Sequence, residues 1–321
     1  MFTCDMHSDT ILKCLLHGGG LRENGYEIDA VKLKKGGALL QCLAAFLASK
    51  SMARLYETND GYVFYRKMAD FFKAEAEKNS DALVWVRSMA DLRTAEETGL
   101  PGIMLTIEDT GAMLDSRPGR LEEAYADGAR LMGVIWNFEN CLGYPNSTDP
   151  AIMAKGLKPF GFETLEQAEA LGMAVDVSHL NDGGFWDIAN AAKKPFIASH
   201  SCCRALCAHP RNLTDEMIRA IAEKGGVVGV NYYGAFLRDD APKFVPASLV
   251  VDHIEHMIKV GGEDLPALGS DYDGMDSELE WKDASGTQLI AEEMEKRGFG
   301  GRLVEKICYK NACRFLGDTI K

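Results

Sequence analysis

Five side chains of metal-ligand type each close a short apolar run in this 321-residue chain. His7 and Asp9 close CDMHSD, Glu108 closes GIMLTIE, His179 closes MAVDVSH and His200 closes PFIASH. Imidazole nitrogen and carboxylate oxygen are donors that zinc accepts readily. His7-Ser8-Asp9 sets two of them at i and i+2, which point the same way on a strand. One strand end can therefore offer a cation an imidazole and a carboxylate together. Glu108 is the natural bridge, because two cations about 3.5–4 Å apart need an anion between them; its alternative use is as an acid at a helix start. His179 and His200 close neighbouring runs. Neutral imidazoles suit zinc, and each needs its other nitrogen held by an acceptor, a part that Asp176 in DVSH can play. The set has the donor chemistry of a two-metal hydrolytic site.

Two further charges sit where such a site would use them. Asp271 closes the run that ends in GSDYDG. A carboxylate there can take a proton from an attacking water and return it to a leaving amine, or it can serve as a third ligand or a turn former, with Asp273 an equal candidate for the turn. Arg211, in HPRN, follows the run of His200. A guanidinium can grip a substrate carboxylate through two parallel hydrogen bonds; its ordinary use is a surface ion pair. His17, His209, His253 and His256 fall outside the strand-end set, and the last two read as surface residues. Cys202-Cys203 reads as packing.

Residues almost 200 positions apart act together only if the fold brings their strand ends to one place. Eight runs have strand character: FTCDMHS, ALLQCLAAFLA, GIMLTIE, LMGVIWN, MAVDVSH, PFIASHS, GVVGVNYY and ALGSDYD. They are apolar on both faces, as buried parallel strands are. Helical segments such as FETLEQAEAL, WDIANAAKK, TDEMIRAIAEK and ASLVVDHIEHMIKV alternate with them. Thr214 followed by two acids is a good helix start, and Gly172, Gly225 and Gly261 fit helix ends. The βα alternation implies a parallel sheet, here an α/β (β/α)8 TIM barrel of metal-dependent hydrolase type, whose strand C-termini share one face. MDSELEWKDASG reads as a polar surface loop beside that face, and GGRLVEKICYKNACRFLG as a last amphipathic helix. No linker interrupts the pattern, so one barrel domain over residues 1–321, with a C-terminal helix, is expected.

Bulk properties narrow the partners. The net charge of −13 argues against nucleic acid or an anionic membrane, both of which call for clustered Lys and Arg. Nine cysteines, an odd number in a long chain, do not suggest a disulfide framework. MFTCDMHSDT has no basic or apolar leader pattern, and no apolar run approaches membrane-spanning length. A cytoplasmic protein without a membrane anchor is the expectation.

In this order the residues resemble the membrane (renal) dipeptidase family, the M19 zinc peptidases. The resemblance covers nearly the whole chain. It is densest from GLKPFGFETLEQAEALGMAVDVSHLNDGGFWDIANAAKKPFIASHSCCRALCAHPRNLTDEMIRAIAEKGGVVGVNYY onward to DHIEHMIKVGGEDLPALGSDYDG and KNACRFL. It implies a (β/α)8 barrel with two zinc ions per chain. His7 and Asp9 would hold the first ion, Glu108 would bridge, and His179 and His200 would hold the second. Arg211 would bind the C-terminal carboxylate of a dipeptide, Asp271 would carry the proton, and Tyr232 and Tyr233 fall where the family has an aromatic near substrate. The implied reaction is attack of a metal-bridging hydroxide on the peptide carbonyl. The implied partners are small dipeptides and, since members are often dimers, a second copy of the chain. The sequence departs from the family at two places. Ile135-Trp136-Asn137 stands for Thr-His-Asn, so Trp136 takes the place of a substrate-binding histidine and offers one indole N–H donor. Glu108-Asp109-Thr110 stands for Glu-Gly-Gly. Besides a dipeptidase, two readings stay open: a related metal-dependent amidohydrolase with a shifted substrate, and a metal-retaining, weakly active binding protein.

Overall fold

The computed structural model describes residues 1–47 and 60–321. Eight parallel strands form its centre: β1 (Thr3–Asp5), β2 (Ala38–Phe46), β3 (Gly102–Glu108), β4 (Leu131–Gly133), β5 (Ala174–Asp176), β6 (Ile197–Ser201), β7 (Val227–Val230) and β8 (Pro266–Leu268). They neighbour one another in chain order. β8 returns to β1 through Asp5 and Leu268, which closes the sheet into a barrel. Each strand overlaps an expected run: β3 spans the whole of its run, β8 starts one residue ahead of its run at Pro266, and the others are shorter than theirs, mostly because the final residues of the runs turn over the rim. The last residue of the second run, Ala48, lies outside the described residues. The longest ladder joins β2 to β3, from Leu40–Gly102 to Phe46–Glu108. An additional strand, Val84–Trp85, pairs with Gly102 and Ile103 at the start of β3.

The alternation of side chains along the strands sorts two layers of core. Cys4, Cys42, Met104, Ala174, Val227 and Ala267 form one buried cluster with Phe315, Leu316 and Ile320 of the final helix. Their neighbours in sequence, among them Leu43, Leu105, Val175 and Val228, pack into a larger cluster with the surrounding helices. The helices begin and end on local chemistry. The Thr214 hydroxyl accepts from Met217 N at 3.3 Å, starting Asp215–Glu223. Gly172 (φ 85°) closes Pro159–Leu171 from the left-handed region, which glycine enters without steric penalty. In the helix Ala247–Gly261 the turn is made by Gly262 (φ 87°), one residue later than expected, because Gly261 is still helical.

Three expectations are corrected. Glu278–Leu279, in the stretch read as a surface loop, pairs in parallel with Phe244–Val245. Trp281 in the same stretch is buried and donates its indole N–H to Tyr272 Oη at 2.5 Å. The alternate spacing of Leu279 and Trp281 gives this polar stretch one apolar face. The last helix contains a π-helical turn, Lys306–Lys310, between Gly301–Glu305 and Asn311–Thr319. His253 is fully buried; its Nδ1 accepts from Cys203 N at 3.0 Å and its Nε2 lies 2.9 Å from Leu237 O. Among the described residues no helix is long and apolar enough to cross a membrane.

Candidate metal centre

All five strand-end side chains of ligand type meet at the C-terminal rim of the barrel. Glu108, at the end of β3, lies between them and turns a different oxygen to each side. Its Oε2 is 3.5 Å from His7 Nε2, and its Oε1 is 2.9 Å from His179 Nε2 and 3.7 Å from His200 Nε2. Asp9 Oδ1 is 3.7 Å and Asp271 Oδ1 3.9 Å from His7 Nε2. The His7 and His200 rings stack with centroids 3.7 Å apart. Two ligand-atom groups, His7–Glu108–His200 and His7–Asp9–Asp271, each converge within 4.8 Å. His7, Asp9, Glu108, His179 and His200 are buried, and Asp271 is half-buried.

The hydrogen bonds behind these side chains fix which atoms face inward. His200 Nδ1 is 2.7 Å from Ser199 Oγ, which donates to Asp176 Oδ2 at 2.5 Å. His179 Nδ1 is 3.1 Å from Asn137 Oδ1. Each Nδ1 thus faces an oxygen, and each Nε2 points inward. Those two Nε2 atoms are only 3.0 Å apart and share Glu108 Oε1. Two imidazole nitrogens and a carboxylate oxygen thus crowd one point, a donor set that suits a cation. His7 Nε2 and Asp9 Oδ1 are buried without a hydrogen-bond partner. The residues therefore fit a metal centre.

The electrostatics follow from the crowding of acids. Burial raises the Asp9 carboxyl well above the usual range, and Glu108 adds to this. Burial pushes Asp271 up to about 6; His7 opposes the shift and Glu108 reinforces it. Burial acts against the ionised form of Glu108 too, but His7 and His179 more than offset it and hold its carboxyl down. For His7, burial alone would lower the imidazole, yet Glu108, Asp9 and Asp271 raise it to about 10. Burial, aided by the charge of Arg211, takes His179 down to about 4. Backbone strain accompanies this arrangement: Asp271 (φ 63°), Asp273 (φ 65°) and Asp109 (φ 68°) are left-handed, a region that aspartate tolerates better than most side chains. Gly274 follows because a Cβ there would collide with carboxylate oxygens of Asp9 and Asp271.

A cavity of about 450 Å³ opens over the centre, lined by Asp9, Glu108, His179 and Asp271, and by Lys13, Phe46, Trp136, Asn137, Tyr233, Phe236, Met275 and Asp276 among others. Trp136 lies just beyond β4, edge-on to Phe46 at 4.9 Å and 6.3 Å from the His179 ring. Arg211 is buried rather than exposed. Its Nη1 donates to Ser201 Oγ at 2.6 Å, its Nη2 donates to His200 O at 2.8 Å, and its Nε has no partner. The two tyrosines separate: Tyr233 lines the cavity, whereas Tyr232 is fully buried with its ring against Tyr272 and Trp281. The extended chain just past β7 turns these adjacent residues to opposite sides, so of the two it is Tyr233 that faces the cavity. Asp109 directs Oδ1 to Asn140 Nδ2 at 2.8 Å, and burial pushes its carboxyl up to about 7. Sequence reasoning gave no role to Asn231, whose Nδ2 donates to Asp271 Oδ2 at 2.9 Å, or to Asn137 and Ser199. Their positions at or next to strand ends were the available signal.

The model of one family, membrane dipeptidase (peptidase family M19), matches residues 1–320. An uncharacterized protein in the pqqA 5′ region of Klebsiella pneumoniae is 38% identical over 240 residues, which is 72% of this chain and 87% of that protein. An uncharacterized dipeptidase of Schizosaccharomyces pombe is 30% identical over 261 residues, 79% of this chain and 62% of that protein. Among solved structures, a metallo peptidase from Rhodobacter sphaeroides, liganded with a phosphinate mimic of the dipeptide L-Ala-D-Ala, superposes with a TM-score of 0.89 at 24% identity over 99% of both chains. The dipeptidase AC of family M19 gives 0.88 at 25% identity, over 99% of this chain and 98% of that one.

Proposed function

The chain belongs to the membrane dipeptidase family, peptidase family M19, and is a dipeptidase-like metallohydrolase; we propose that it hydrolyses dipeptides bearing a free C-terminal carboxylate at a centre of two zinc ions. The carrying observation is the convergence of the His179 and His200 Nε2 atoms on Glu108 Oε1, with Glu108 Oε2 turned to His7. His7 and Asp9 would hold one ion, His179 and His200 the other, and Glu108 both. Bound zinc supplies Lewis acidity and a water acidic enough to ionise near neutral pH.

The chain's own residues supply the rest. Arg211 sets a permanent positive charge behind His200, with Nε unpartnered. That charge attracts the carboxylate of the substrate and so places its peptide bond over the centre. Asp271 is oriented by Asn231 and faces the His7–Asp9 side. Its raised affinity for protons suits a group that takes one from water and gives it to the departing amine. Phe46, Trp136 and Tyr233 give the cavity wall apolar surface, which would limit bulk water at the reacting bond.

Trp136 favours a second reading, a related amidohydrolase with a shifted substrate. The indole gives the cavity an aromatic wall with Phe46 and has one polar donor. Zinc content and turnover of a broad dipeptide panel separate the readings. Two zinc ions per chain with hydrolysis of L,L or L,D dipeptides is the expected result. Zinc without dipeptide turnover would favour the second reading, and failure to take up zinc would refute both.

A further inference from the structure

We infer that Ser199 and Asp176 are positioning residues that lock the tautomer of His200 and thereby set how tightly the centre holds its metal, an inference that rests on the reading above. The direction of each hydrogen bond can be assigned. Asp176 Oδ1 accepts from Ser178 N at 2.9 Å, Ser178 Oγ at 2.6 Å and Ser199 N at 2.9 Å, while Oδ2 accepts from Ser199 Oγ at 2.5 Å. With four donors directed at it, this carboxylate acts as acceptor throughout. The Ser199 hydroxyl has one proton, and that proton is committed to Asp176. Its 2.7 Å contact with His200 Nδ1 must therefore be an N–H of the imidazole donating to the serine oxygen. The ring then holds its proton at Nδ1 and presents a lone pair at Nε2, towards Glu108 and His179.

The two oxygens of Asp176 have separable tasks. Oδ1 ties the backbone of β5 to that of β6 through Ser178 N and Ser199 N; Oδ2 is engaged by the Ser199 hydroxyl. Asp176 and Ser178 are 4% exposed, Ser199 is inaccessible and His200 is 1% exposed, so no bulk water replaces a lost partner. His179 has a different support: its Nδ1 faces the side chain of Asn137, which is exposed. Removing the Ser199 hydroxyl keeps the backbone tie and frees the His200 ring to change tautomer, which would put a proton where the metal must bind. Outer partners of this kind typically contribute about 10–100-fold to metal affinity.

The test uses the full chain as wild type, Ser199→Ala and Ser199→Thr. Nitrogen-15 NMR of the histidine rings in metal-free wild type should show His200 as the Nδ1–H tautomer; an Nε2–H tautomer overturns the inference whatever the metal content. Zinc affinity by chelator competition should fall about 10–100-fold in Ser199→Ala and recover to within a few-fold in Ser199→Thr, which restores a hydroxyl. The visible spectrum of cobalt-substituted protein should change in Ser199→Ala and return in Ser199→Thr. Wild-type affinity and spectrum in Ser199→Ala refute the relay and leave the dipeptidase reading intact. Wild type that takes up neither zinc nor cobalt refutes that reading and, with it, the relay's role in metal binding. Should Ser199→Ala fail to fold, the wild-type tautomer still decides.

Discussion

Replacing Asp271 by Asn removes a charge and a proton acceptor while changing little else. Asparagine enters the left-handed region as readily as aspartate, so the φ of 63° is kept. Its amide oxygen can still accept from Asn231 Nδ2, which lies 2.9 Å from Asp271 Oδ2. A positioned acid–base group contributes about 10²–10⁴ in rate, or roughly 2.7–5.5 kcal/mol at about 1.36 kcal/mol per decade. The expected outcome is a fall in kcat of that size, with zinc content unchanged and KM for dipeptides altered by less than about threefold. Stability should move the opposite way. Burial raises the Asp271 carboxyl from 3.8 to about 6, so its contribution to stability is full below the unfolded value and is lost as pH rises through about 6. Ionised Asp271 therefore weighs on the metal-free fold near pH 7.5, by at most about 2–3 kcal/mol. Asp271→Asn should stabilise the metal-free protein there by on the order of 1 kcal/mol, and the gain should vanish by about pH 4. The assays are dipeptide turnover with elemental zinc analysis, and thermal unfolding across pH. More than a third of wild-type kcat at full zinc content would refute the proton-carrier assignment. Loss of zinc would make Asp271 a ligand instead, as its place beside His7 and Asp9 permits.

Three further outcomes are expected. Trp136→His should raise kcat/KM for dipeptides by up to about 10²–10³ if the position serves the oxyanion; steady-state kinetics that show no gain would mean that the indole itself serves the substrate. Arg211→Lys exchanges a fork for a point charge and leaves Ser201 Oγ or His200 O without its donor, so kcat/KM should fall about 10–100-fold, and the loss should shrink for dipeptides whose C-terminus is amidated. Glu27, held by Asp273 N, is pushed by burial from 4.5 to about 7. Its contribution is present below the unfolded value and lost as pH rises through about 7, so Glu27→Gln should flatten the fall in Tm between pH 5 and 8, by on the order of 1 kcal/mol after allowing for its partial exposure.

The convergence of the five strand-end side chains was legible because a parallel barrel makes strand ends equivalent. A ligand-type residue at the end of one apolar run is ambiguous, but the same feature at β1, β3, β5 and β6 has a geometric meaning. The loop elements were less legible. Glu278–Leu279 is polar in neighbourhood and finds its strand partner 34 residues earlier, at Phe244–Val245, a long-range choice that local pattern cannot express. Tyr232 and Tyr233 differ only in which side of the rim they face, and that depends on where β7 ends at Val230. The burial of Arg211 was not legible for a related reason. Its partners, Ser201 Oγ and His200 O, are ten and eleven residues away and are brought beneath it by the turn after β6.

The join between β5 and β6 has a consequence for how the barrel breathes. The strand ladder there matches Asp176 with Ile197, and above it the wall is laced by side chains: Asp176 to Ser199 N, and Ser178 Oγ to His200 N at 3.1 Å. A local opening of this seam cannot occur without parting His179 from His200. A cation held by both imidazoles is then a rivet through the wall, and the energy of its binding is also energy of barrel closure. At the proposed site, metal release and fraying of the seam would become one event, so the hold on the metal would be limited by the rate at which a strand pair opens as well as by the strength of the ligand bonds.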